Sequence, residues 1–490
     1  MTLRLTPGRR LLAVLLAGTA FQSLAAAQSN SISFTQGDLV VSVEGDGSNT
    51  GSYLDNQAAP LSLYQFQLNN AANGVIAGTT ASKAGSLMLP QTSTVGGNYA
   101  VSGEYGSSSE GTLQLTGNGQ ALTIMGYAVN AAAYNATYDV NGTGTALAQS
   151  TNGTGAASDV SRVIAVIGAN GSVNSTTALT NVFNANNPRS VYSTNGTSFY
   201  ISGQGNKDTT GGVYYVSSVG ATTATPITGV DTNSKSNGSY NQDTRDVQVV
   251  NGQLVTSVDS TEGSSAFVRD MVGTVGTGTP TTTLNQAPTA LSGITGKISL
   301  ANGDGNSING SSGKVYLSPE QFYYANANTL YIADSGNPKS GGLGDGGLQK
   351  WTLSNGTWTL DYTLAAGLGL VSDTNTTGTS GLFGLTGQVV TINGKQEVEL
   401  FATSEGLADT DQSYLFGITD QLSDTTAAQA SSESFVDLAA APADSTFRGV
   451  AFAPVAAAVE VPEPSSLSLL AAMMAVVGGI GLARRRRAIR

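Results

Sequence analysis

Short stretches of alternating apolar and polar residues recur along most of the chain, and turns rather than helical segments separate them. Many of these stretches are joined in pairs by Asn-Gly or a related dipeptide. Such residues adopt positive φ readily and close two-residue hairpins, so each pair predicts a β-hairpin. The predicted hairpins are Thr112–Tyr127, Ser190–Ser202, Asp246–Val258, Phe322–Ala333 and Gln388–Ala402.

A third strand follows each predicted hairpin, and a fourth usually follows the third. The segment Leu348–Leu360 (LQKWTLSNGTWTL) shows third and fourth strands most clearly. The first strands start about 55 to 80 residues apart, and four antiparallel strands at such a period are typical of a β-propeller. The third strands are predicted at Arg162–Ile167, Val213–Val219, Ala266–Val272, Leu348–Leu353 and Ser413–Thr419.

The two ends of this region each supply part of one further unit. Phe447–Pro454 has the pattern of a first strand, whereas Asp38–Glu44 and Leu61–Leu68 have that of a second and a third. Pairing of the N- and C-terminal strands would complete this blade and close the ring. We therefore predict an all-β fold over residues 28–455, a β-propeller of six blades, with Thr281–Ser318 as the place for a seventh. A stacked β-solenoid is the alternative architecture.

Composition agrees with an all-β body and excludes several kinds of site. Of the 490 residues, 40% are hydrophobic and only 11% are charged, which is too apolar for disorder and too poor in Glu, Lys and Arg for a helical protein. The chain has neither cysteine nor histidine. Disulfides, zinc sites built on Cys and His, thiol nucleophiles and Ser-His-Asp triads are therefore excluded.

Charge is distributed unevenly along the chain. The formal net charge is −12, yet eight of the 21 basic residues lie in the two ends, which hold no acidic residue before position 28 or after position 463. The segment between carries 33 acidic and 13 basic residues. A body this acidic repels nucleic acid and anionic membrane surfaces, so no nucleic-acid partner is expected. Cations such as Ca²⁺ and neutral carbohydrate are compatible with it.

Residues 1–27 have the parts of a secretory signal peptide. Three arginines among the first ten residues give a positive start. The apolar stretch that follows, Leu11–Phe21, is too short for a stable membrane anchor. A signal peptidase needs small residues ahead of the bond that it cuts, so cleavage is predicted before Gln28. The residues that define the site are Ala25, Ala27 and Gln28.

Residues 456–490 form a second targeting segment at the other end. A short motif there precedes an apolar run, Leu467–Ala483, which is close to the minimum length for crossing a membrane. Four arginines follow and would stay in the cytoplasm by the positive-inside rule, which leaves the body outside. The motif consists of Val461, Pro462, Glu463 and Pro464. The arginines are Arg484, Arg485, Arg486 and Arg487.

The order of these parts resembles the PEP-CTERM sorting signal of Gram-negative exopolysaccharide producers. The resemblance implies that an exosortase recognises the Pro-Glu-Pro motif, removes the tail and passes the protein to the cell surface or extracellular matrix. Before that processing, the tail would hold the protein in the inner membrane. The resemblance covers about thirty residues, but three parts in a fixed order at the C-terminus are specific. The same tail is sometimes labelled after an ice-binding protein, which describes the tail and not the body.

The body resembles a loosely characterised family of PEP-CTERM propeller proteins. That family has no established activity that could be carried over to this chain. The resembling pieces are Arg189–Val191, Thr244–Val247, Thr329–Asp334, Gly347–Trp351, Gly384–Gly387 and Phe447–Pro454.

Three arginines are placed alike in the predicted blades. Arg189, Arg245 and Arg448 each stand two residues before a valine of a first strand. First strands line the central channel of a propeller, so these side chains are a candidate anion site at one channel mouth. The alternative, which we favour, is that they tie neighbouring blades together through carboxylates or carbonyls.

Candidate metal ligands and catalytic acids are less distinctive. Loops rich in Asp, Asn and Gly suit Ca²⁺, which takes oxygen ligands, but turn formation alone explains the same composition. The candidate Ca²⁺ ligands are Asp304, Asp409 and Asp411. Glycoside hydrolysis needs two acids at a defined separation, and no catalytic pair can be assigned. The acids near predicted strand ends are Glu320, Asp334 and Glu405. Trp351 and Trp358 on one hairpin are expected to pack blade against blade rather than to stack on sugar rings.

These features favour a non-enzymatic binding or structural protein, associated with extracellular polysaccharide or with a surface partner. The second interpretation is a Ca²⁺-dependent propeller hydrolase, either phosphodiesterase or phytase-like or a glycosidase. Ice binding through Thr-rich strands ranks last, because the threonines form no flat repeated array.

Overall fold

Almost every described element of the chain is an antiparallel strand. The structure, a computed structural model, describes residues 32–48, 53–138, 146–147, 160–180, 182–205, 210–228, 243–259, 271–294, 297–299, 314–336, 346–371, 377–408 and 410–456. All of them belong to one unit, Ser31–Arg490.

The strands of the first half are β1 (Leu39–Gly45), β2 (Ala58–Asn69), β3 (Thr80–Met88), β4 (Ser102–Glu104), β5 (Gln114–Leu115), β6 (Ala121–Tyr127), β7 (Arg162–Gly168), β8 (Val173–Leu179), β9 (Pro188–Tyr192), β10 (Phe199–Gly203), β11 (Gly212–Val216), β12 (Thr225–Pro226) and β13 (Thr244–Val250). Those of the second half are β14 (Gln253–Val258), β15 (Met271–Thr274), β16 (Thr289–Ala290), β17 (Lys297–Ser299), β18 (Lys314–Tyr316), β19 (Pro319–Asn326), β20 (Thr329–Asp334), β21 (Gly347–Ser354), β22 (Thr357–Leu364), β23 (Thr379–Ile392), β24 (Lys395–Gly406), β25 (Tyr414–Gln421), β26 (Val436–Ala440) and β27 (Ser445–Phe452). The described residues also form one helix, α1 (Ala131–Tyr138), and a 3₁₀ turn, Ala430–Ser432.

Six units of four strands correspond to the predicted blades. Numbered from the N-terminus, they are β27-β1-β2-β3, β5-β6-β7-β8, β9-β10-β11-β12, β13-β14-β15-β16, β19-β20-β21-β22 and β23-β24-β25-β26. Strand β4 pairs with both β2 and β6, which joins blades 1 and 2 into one continuous sheet. In the region considered for a seventh blade, β16 belongs to blade 4, and the other described strands, β17 and β18, form a separate two-stranded sheet.

The N- and C-terminal strands pair as predicted. Strand β1 runs antiparallel to β27, with Leu39 opposite Phe452 and Glu44 opposite Thr446. The innermost strands contact one another in the order β27, β5, β9, β13, β19, β23 and β27 again. This cyclic order is that of a propeller, because the end strands of a stacked solenoid would lie far apart.

The apolar core is divided among the interfaces between blades. Strand β10 illustrates the arrangement, since Phe199 and Ile201 pack towards blade 2 while Tyr200 packs towards blade 4. Both faces of the sheet are thus buried, and successive side chains point to opposite faces. Trp351 and Trp358 lie in the cluster between blades 4 and 5, so the expectation that they pack blade against blade is confirmed.

A hydroxyl group bridges each of the six blade interfaces near the axis. Five are on second strands and donate to a backbone carbonyl of the next blade, and Ser380 donates across the remaining interface. The pairs are Ser42 to Gly111, Thr123 to Val191, Ser202 to Arg245, Ser257 to Glu320, Ser380 to Ser335 and Thr403 to Arg448. Short polar side chains on inner strands therefore have a structural use in every blade.

The Asn-Gly turns have the backbone conformation that the sequence predicts. Asn251 and Gly252 between β13 and β14 have φ of 50° and 77°, which only residues tolerant of the left-handed region adopt readily. The turns at Asn355 and Asn393 have the same signs.

Candidate functional site

Charged side chains gather at one end of the inner strands. The two strands of each inner hairpin are antiparallel, so the start of the first strand and the end of the second meet at the same end of the blade. Eight carboxylates and four arginines from these positions and their neighbours form what we call the axial ring. Its members are Glu44, Glu104, Glu110, Asp243, Asp259, Glu320, Asp334, Glu405, Arg162, Arg189, Arg245 and Arg448.

Arg245 of β13 binds three carboxylates of the axial ring. Its Nη1 is 2.7 Å from Glu320 Oε1, and its Nη2 is 2.9 Å from Asp259 Oδ2. Its Nε is 3.1 Å from Asp243 Oδ1, and Asp243 also forms an ion pair with Arg189. Since Arg189 belongs to blade 3, Arg245 to blade 4 and Glu320 to blade 5, this chain of ion pairs ties three blades together.

Arg448 of β27 makes a similar connection on the opposite side. Its Nη1 is 3.5 Å from Glu405 Oε2 of blade 6. Its Nε donates to the carbonyl oxygen of Glu110, ahead of blade 2, at 3.1 Å. The guanidinium group also lies 4.0 Å from the centre of the Phe383 ring. Arg448 therefore connects blades 6, 1 and 2 at the place where the ring closes.

The three predicted arginines thus come to one end of the inner strands, and each contacts carboxylates or carbonyls of neighbouring blades. This geometry agrees with the interpretation that they tie blades together. Their role as an anion site stays a prediction.

The fourth arginine, Arg162, was not singled out in the sequence. Its guanidinium group lies 4.4 Å from the centre of the Tyr127 ring, and its Nη2 donates to the carbonyl oxygen of Asn186 at 2.8 Å. Tyr127 donates through its hydroxyl to Glu110, which also accepts from Asn187 Nδ2 at 2.5 Å. Burial raises the pKa of Glu110, and these two hydrogen bonds oppose that effect.

All three acids that the sequence suggested belong to the axial ring. Burial raises the pKa of Glu320 to about 7, although Arg245 lowers it. Asp334 accepts from the backbone N–H of Gly336 at 2.9 Å and from Gln349 Nε2 at 2.6 Å, so it organises the backbone around it. Glu320 is 3% exposed and Glu405 4% exposed, which leaves little room for a substrate at either carboxylate.

Behind the axial ring, towards the turn ends of the inner hairpins, lies a layer of uncharged polar groups around one carboxylate. Asp246 accepts hydrogen bonds from Gln114 Nε2 at 2.7 Å, from Ser190 Oγ at 2.8 Å and from Gln248 Nε2 at 2.7 Å. Burial raises the pKa of Asp246 to about 6, against the effect of these donors. The centre of the structure is therefore polar but fully hydrogen-bonded at this level.

A pair of tyrosines, one partly exposed and one buried, adjoins the axial ring at blade 1. The half-exposed ring of Tyr53 packs on that of Tyr105, with centroids 5.4 Å apart. Burial raises the pKa of Tyr53 to about 12, and the nearby carboxylates of Asp46 and Asp444 add to the effect. We call these four residues the aromatic-acidic patch. An aromatic face beside carboxylates offers both stacking and hydrogen-bond acceptors to a ligand.

A second buried charge cluster lies between blades 5 and 6, away from the axial ring. Lys350 Nζ is 2.7 Å from Asp420 Oδ2 and 2.9 Å from the Tyr362 hydroxyl. The hydroxyls of Tyr331 and Tyr362 both donate to Asp420. Because every one of these groups is satisfied by another, the cluster holds the two blades together.

Of the three predicted Ca²⁺ ligands, the structure describes only Asp411, and the metal site stays a prediction. Its Oδ2 accepts the backbone N–H groups of Gly378 and Ala408, each at 2.8 Å, so this carboxylate stabilises a loop. Asp304 and Asp409 lie outside the described residues. Within the part of the chain that the structure describes, no group of three or more acidic residues is arranged to hold a metal ion.

The predicted signal peptide, residues 1–27, and all but the first residue of the predicted C-terminal segment, residues 456–490, also lie outside the described residues. A search of the described part of the chain finds no helix with the length and apolar character needed to span a bilayer.

Several members of the axial ring were missed, although a weak signal for them exists. In four of the six blades an acidic residue stands at or just beyond the end of the second strand. They are Glu44, Asp259, Asp334 and Glu405. Asp334 and Glu405 were suggested from the sequence, whereas Glu44 and Asp259 were missed. Only their shared position in the repeat, not any local motif, could have identified the two missed acids.

No family model matches the chain, and no curated protein matches it. Two solved structures are similar to it at 12% sequence identity. One is a GH74 enzyme of Niastella koreensis, and the similarity covers 83% of this chain and 46% of that chain with a TM-score of 0.33. The other is a Hadza microbial sialidase, Hz136, with 79% of this chain and 64% of that chain covered and a TM-score of 0.39. The chain spans less than two thirds of either structure, and likeness at these TM-scores carries no argument about its activity.

Proposed function

We propose that this chain is an exported, non-enzymatic β-propeller that is sorted to the cell envelope and binds extracellular polysaccharide or a surface partner there. The main support is the aromatic-acidic patch, where a half-exposed Tyr53 is backed by Tyr105 and flanked by carboxylates. A rigid aromatic ring beside acceptor oxygens suits the apolar face and the hydroxyl groups of a neutral sugar. The acidic body would repel an anionic polymer.

The axial ring supports the same choice. Where a propeller enzyme would need accessible acids, most of the carboxylates of the ring are buried, and the ion pairs of Arg245 and Arg448 link neighbouring blades. Groups that hold the fold together in this way are poorly placed to exchange protons with a substrate.

Binding is tested with the purified chain on an array of neutral glycans and on matrix polysaccharide from the producing cells. We expect binding that Tyr53→Ala weakens about tenfold, in line with the loss of one aromatic contact, and that Tyr53→Phe retains. Tyr99→Ala serves as the matched control, because Tyr99 is 37% exposed but belongs to another surface. Failure of the wild-type chain to bind any of these polymers would contradict the proposed binding of polysaccharide.

Export and sorting are tested on the protein recovered from cells. Intact-mass analysis should show an N-terminus at Gln28 and loss of the tail that follows Pro462. A protein that keeps both ends and stays in the cytoplasm would contradict this part of the proposal.

A glycosidase is the second candidate, and one observation favours it. The pKa of Glu320 is raised to about 7 by burial, as a general acid requires, and the carboxylates of Asp259 and Glu405 lie near enough to influence it. Release of reducing ends from polysaccharide, abolished by Glu320→Gln, would establish this activity. Addition of Ca²⁺ during the assay tests whether a hydrolase of this chain needs the metal.

A further inference from the structure

The seam of the ring, where β1 pairs with β27, contains a buried carboxyl group without a partner. Glu44 is fully buried, and neither of its carboxyl oxygens takes part in a hydrogen bond. Backbone closes around it, since a Cβ placed on Gly103 would lie 2.7 Å from Glu44 Oε1 and one on Gly111 would lie 3.3 Å from it. A carboxylate is costly to keep ionised in such surroundings.

The groups that face Glu44 do not offset this cost. Three of these groups are carboxylates, one is an arginine and one is a tyrosine. Arg448 is engaged through Nη1 with Glu405 and through Nε with a carbonyl oxygen, and its Nη2 has no hydrogen-bond partner. It forms no ion pair with Glu44 in the described structure. The facing groups are Arg448 on β27, Glu405 on β24, Glu104 on β4, Glu110 ahead of β5 and Tyr105 just after β4.

The electrostatics of this cluster point in one direction. Burial raises the pKa of Glu44 well above its usual value. Arg448 opposes this effect, and the carboxylates of Glu110, Glu104 and Glu405 add to it. Folding therefore draws a proton onto Glu44 at pH values where the unfolded chain has released it.

We propose that Glu44 is a proton-operated latch, in which a proton on its carboxyl group tightens the β1–β27 seam and loss of that proton loosens it. This inference is independent of the proposed binding function. The stabilisation is complete below the pKa of the unfolded chain and is lost as the pH rises through the higher pKa of the folded chain. One proton changes the opening equilibrium of the seam by at most about tenfold per pH unit.

Hydrogen exchange of the full-length chain, followed by mass spectrometry, tests the latch. The readout is the opening equilibrium of amides in Leu39–Gly45 and Ser445–Phe452, corrected for intrinsic exchange, between about pH 5.5 and about pH 8.5. In the wild type, we expect opening to increase with pH. Glu44→Gln mimics the protonated form, so its seam should stay as protected at high pH as the wild-type seam is at low pH.

The control is Asp246→Asn. Asp246 is also buried with a raised pKa, but it is hydrogen-bonded and lies on blade 4, so the variant should keep the wild-type pH dependence at the seam. If Glu44→Gln does not fold, Glu405→Gln removes one facing negative charge and should move the midpoint of the seam to lower pH. The proposal is overturned if Glu44→Gln keeps the wild-type pH dependence, or if the wild-type seam shows none, or if Glu405→Gln leaves the midpoint unchanged.

Discussion

Loss of the Arg245 guanidinium group is expected to destabilise the propeller strongly. The side chain is 13% exposed and holds three carboxylates from two blades, so Arg245→Met leaves them facing one another. Removal of one member of a buried ion pair costs about 3–5 kcal/mol, and we expect a loss of unfolding free energy in this range near pH 8. Methionine keeps most of the aliphatic stem, so the loss should come mainly from the missing charge and donors.

The pH dependence of this loss separates electrostatics from packing. The pKa of Glu320, about 7 in the wild type because of burial, is held down by Arg245 and should rise in the variant. Each unit of that rise is worth about 1.4 kcal/mol. Near pH 5.5 Glu320 is already largely protonated in the wild type, so Arg245 contributes less there and the loss should be smaller.

Urea unfolding followed by circular dichroism at the two pH values provides the measurement. Arg245→Lys, which keeps a charge but cannot reach three acids at once, should fall between the wild type and Arg245→Met. A loss below about 1 kcal/mol at pH 8, or an equal loss at both pH values, would refute the reasoning.

Three further outcomes follow from other contacts. Ser257→Ala removes the hydroxyl that donates to the Glu320 carbonyl oxygen at 2.6 Å. The variant should lose about 1 kcal/mol of unfolding free energy in urea titrations. An unchanged unfolding free energy would mean that the interface hydroxyls do not stabilise the ring. Lys350→Met should cost about 3–5 kcal/mol, and combining it with Asp420→Asn should cost less than the two single losses added together, as a double-mutant cycle would measure. Asp411→Ala should lower the melting temperature by the same amount with Ca²⁺ and with EDTA, because the Asp411 carboxylate accepts two backbone N–H groups. A lower melting temperature of the variant with Ca²⁺ but not with EDTA would support the prediction that Asp411 binds calcium.

The strands could be predicted because their signals are local. The Asn-Gly turns at Asn251 and Asn355 fix hairpins within a few residues, and the two-residue turn sets the register of each pair, with Val250 opposite Gln253 and Ser354 opposite Thr357. The seam was predictable for a different reason, since Phe447–Pro454 lacked a successor and Asp38–Glu44 lacked a predecessor. Helix α1 was missed because its sequence, AAAYNATY, has little amphipathic pattern, no acidic residue in the first turn and no basic residue in the last. Its one local signal is Asn130, which caps the start by accepting the backbone N–H of Ala133 at 2.8 Å.

The axial ring was only partly predictable because its contacts join distant parts of the chain. Arg448 and the carbonyl oxygen of Glu110 are 338 residues apart in sequence. No spacing rule links such residues, so the sequence indicated that Arg189, Arg245 and Arg448 share a position but not which carboxylate each would meet. Position in the repeat predicts which end of the blade a side chain reaches, whereas its partner depends on how many blades close the ring.

Ring closure also explains why Glu44 differs from the other acids at the ends of second strands. Asp259 has Arg245 at 2.9 Å, while Asp334 is satisfied by backbone and amide donors. Glu44 stands at the seam beside Arg448, which connects three blades, and neither carboxyl oxygen of Glu44 accepts a hydrogen bond. A lysine or arginine that formed an ion pair with Glu44 would stabilise its carboxylate and lower its pKa. Because no such pair forms, we infer that the closure of the ring is sensitive to a single proton.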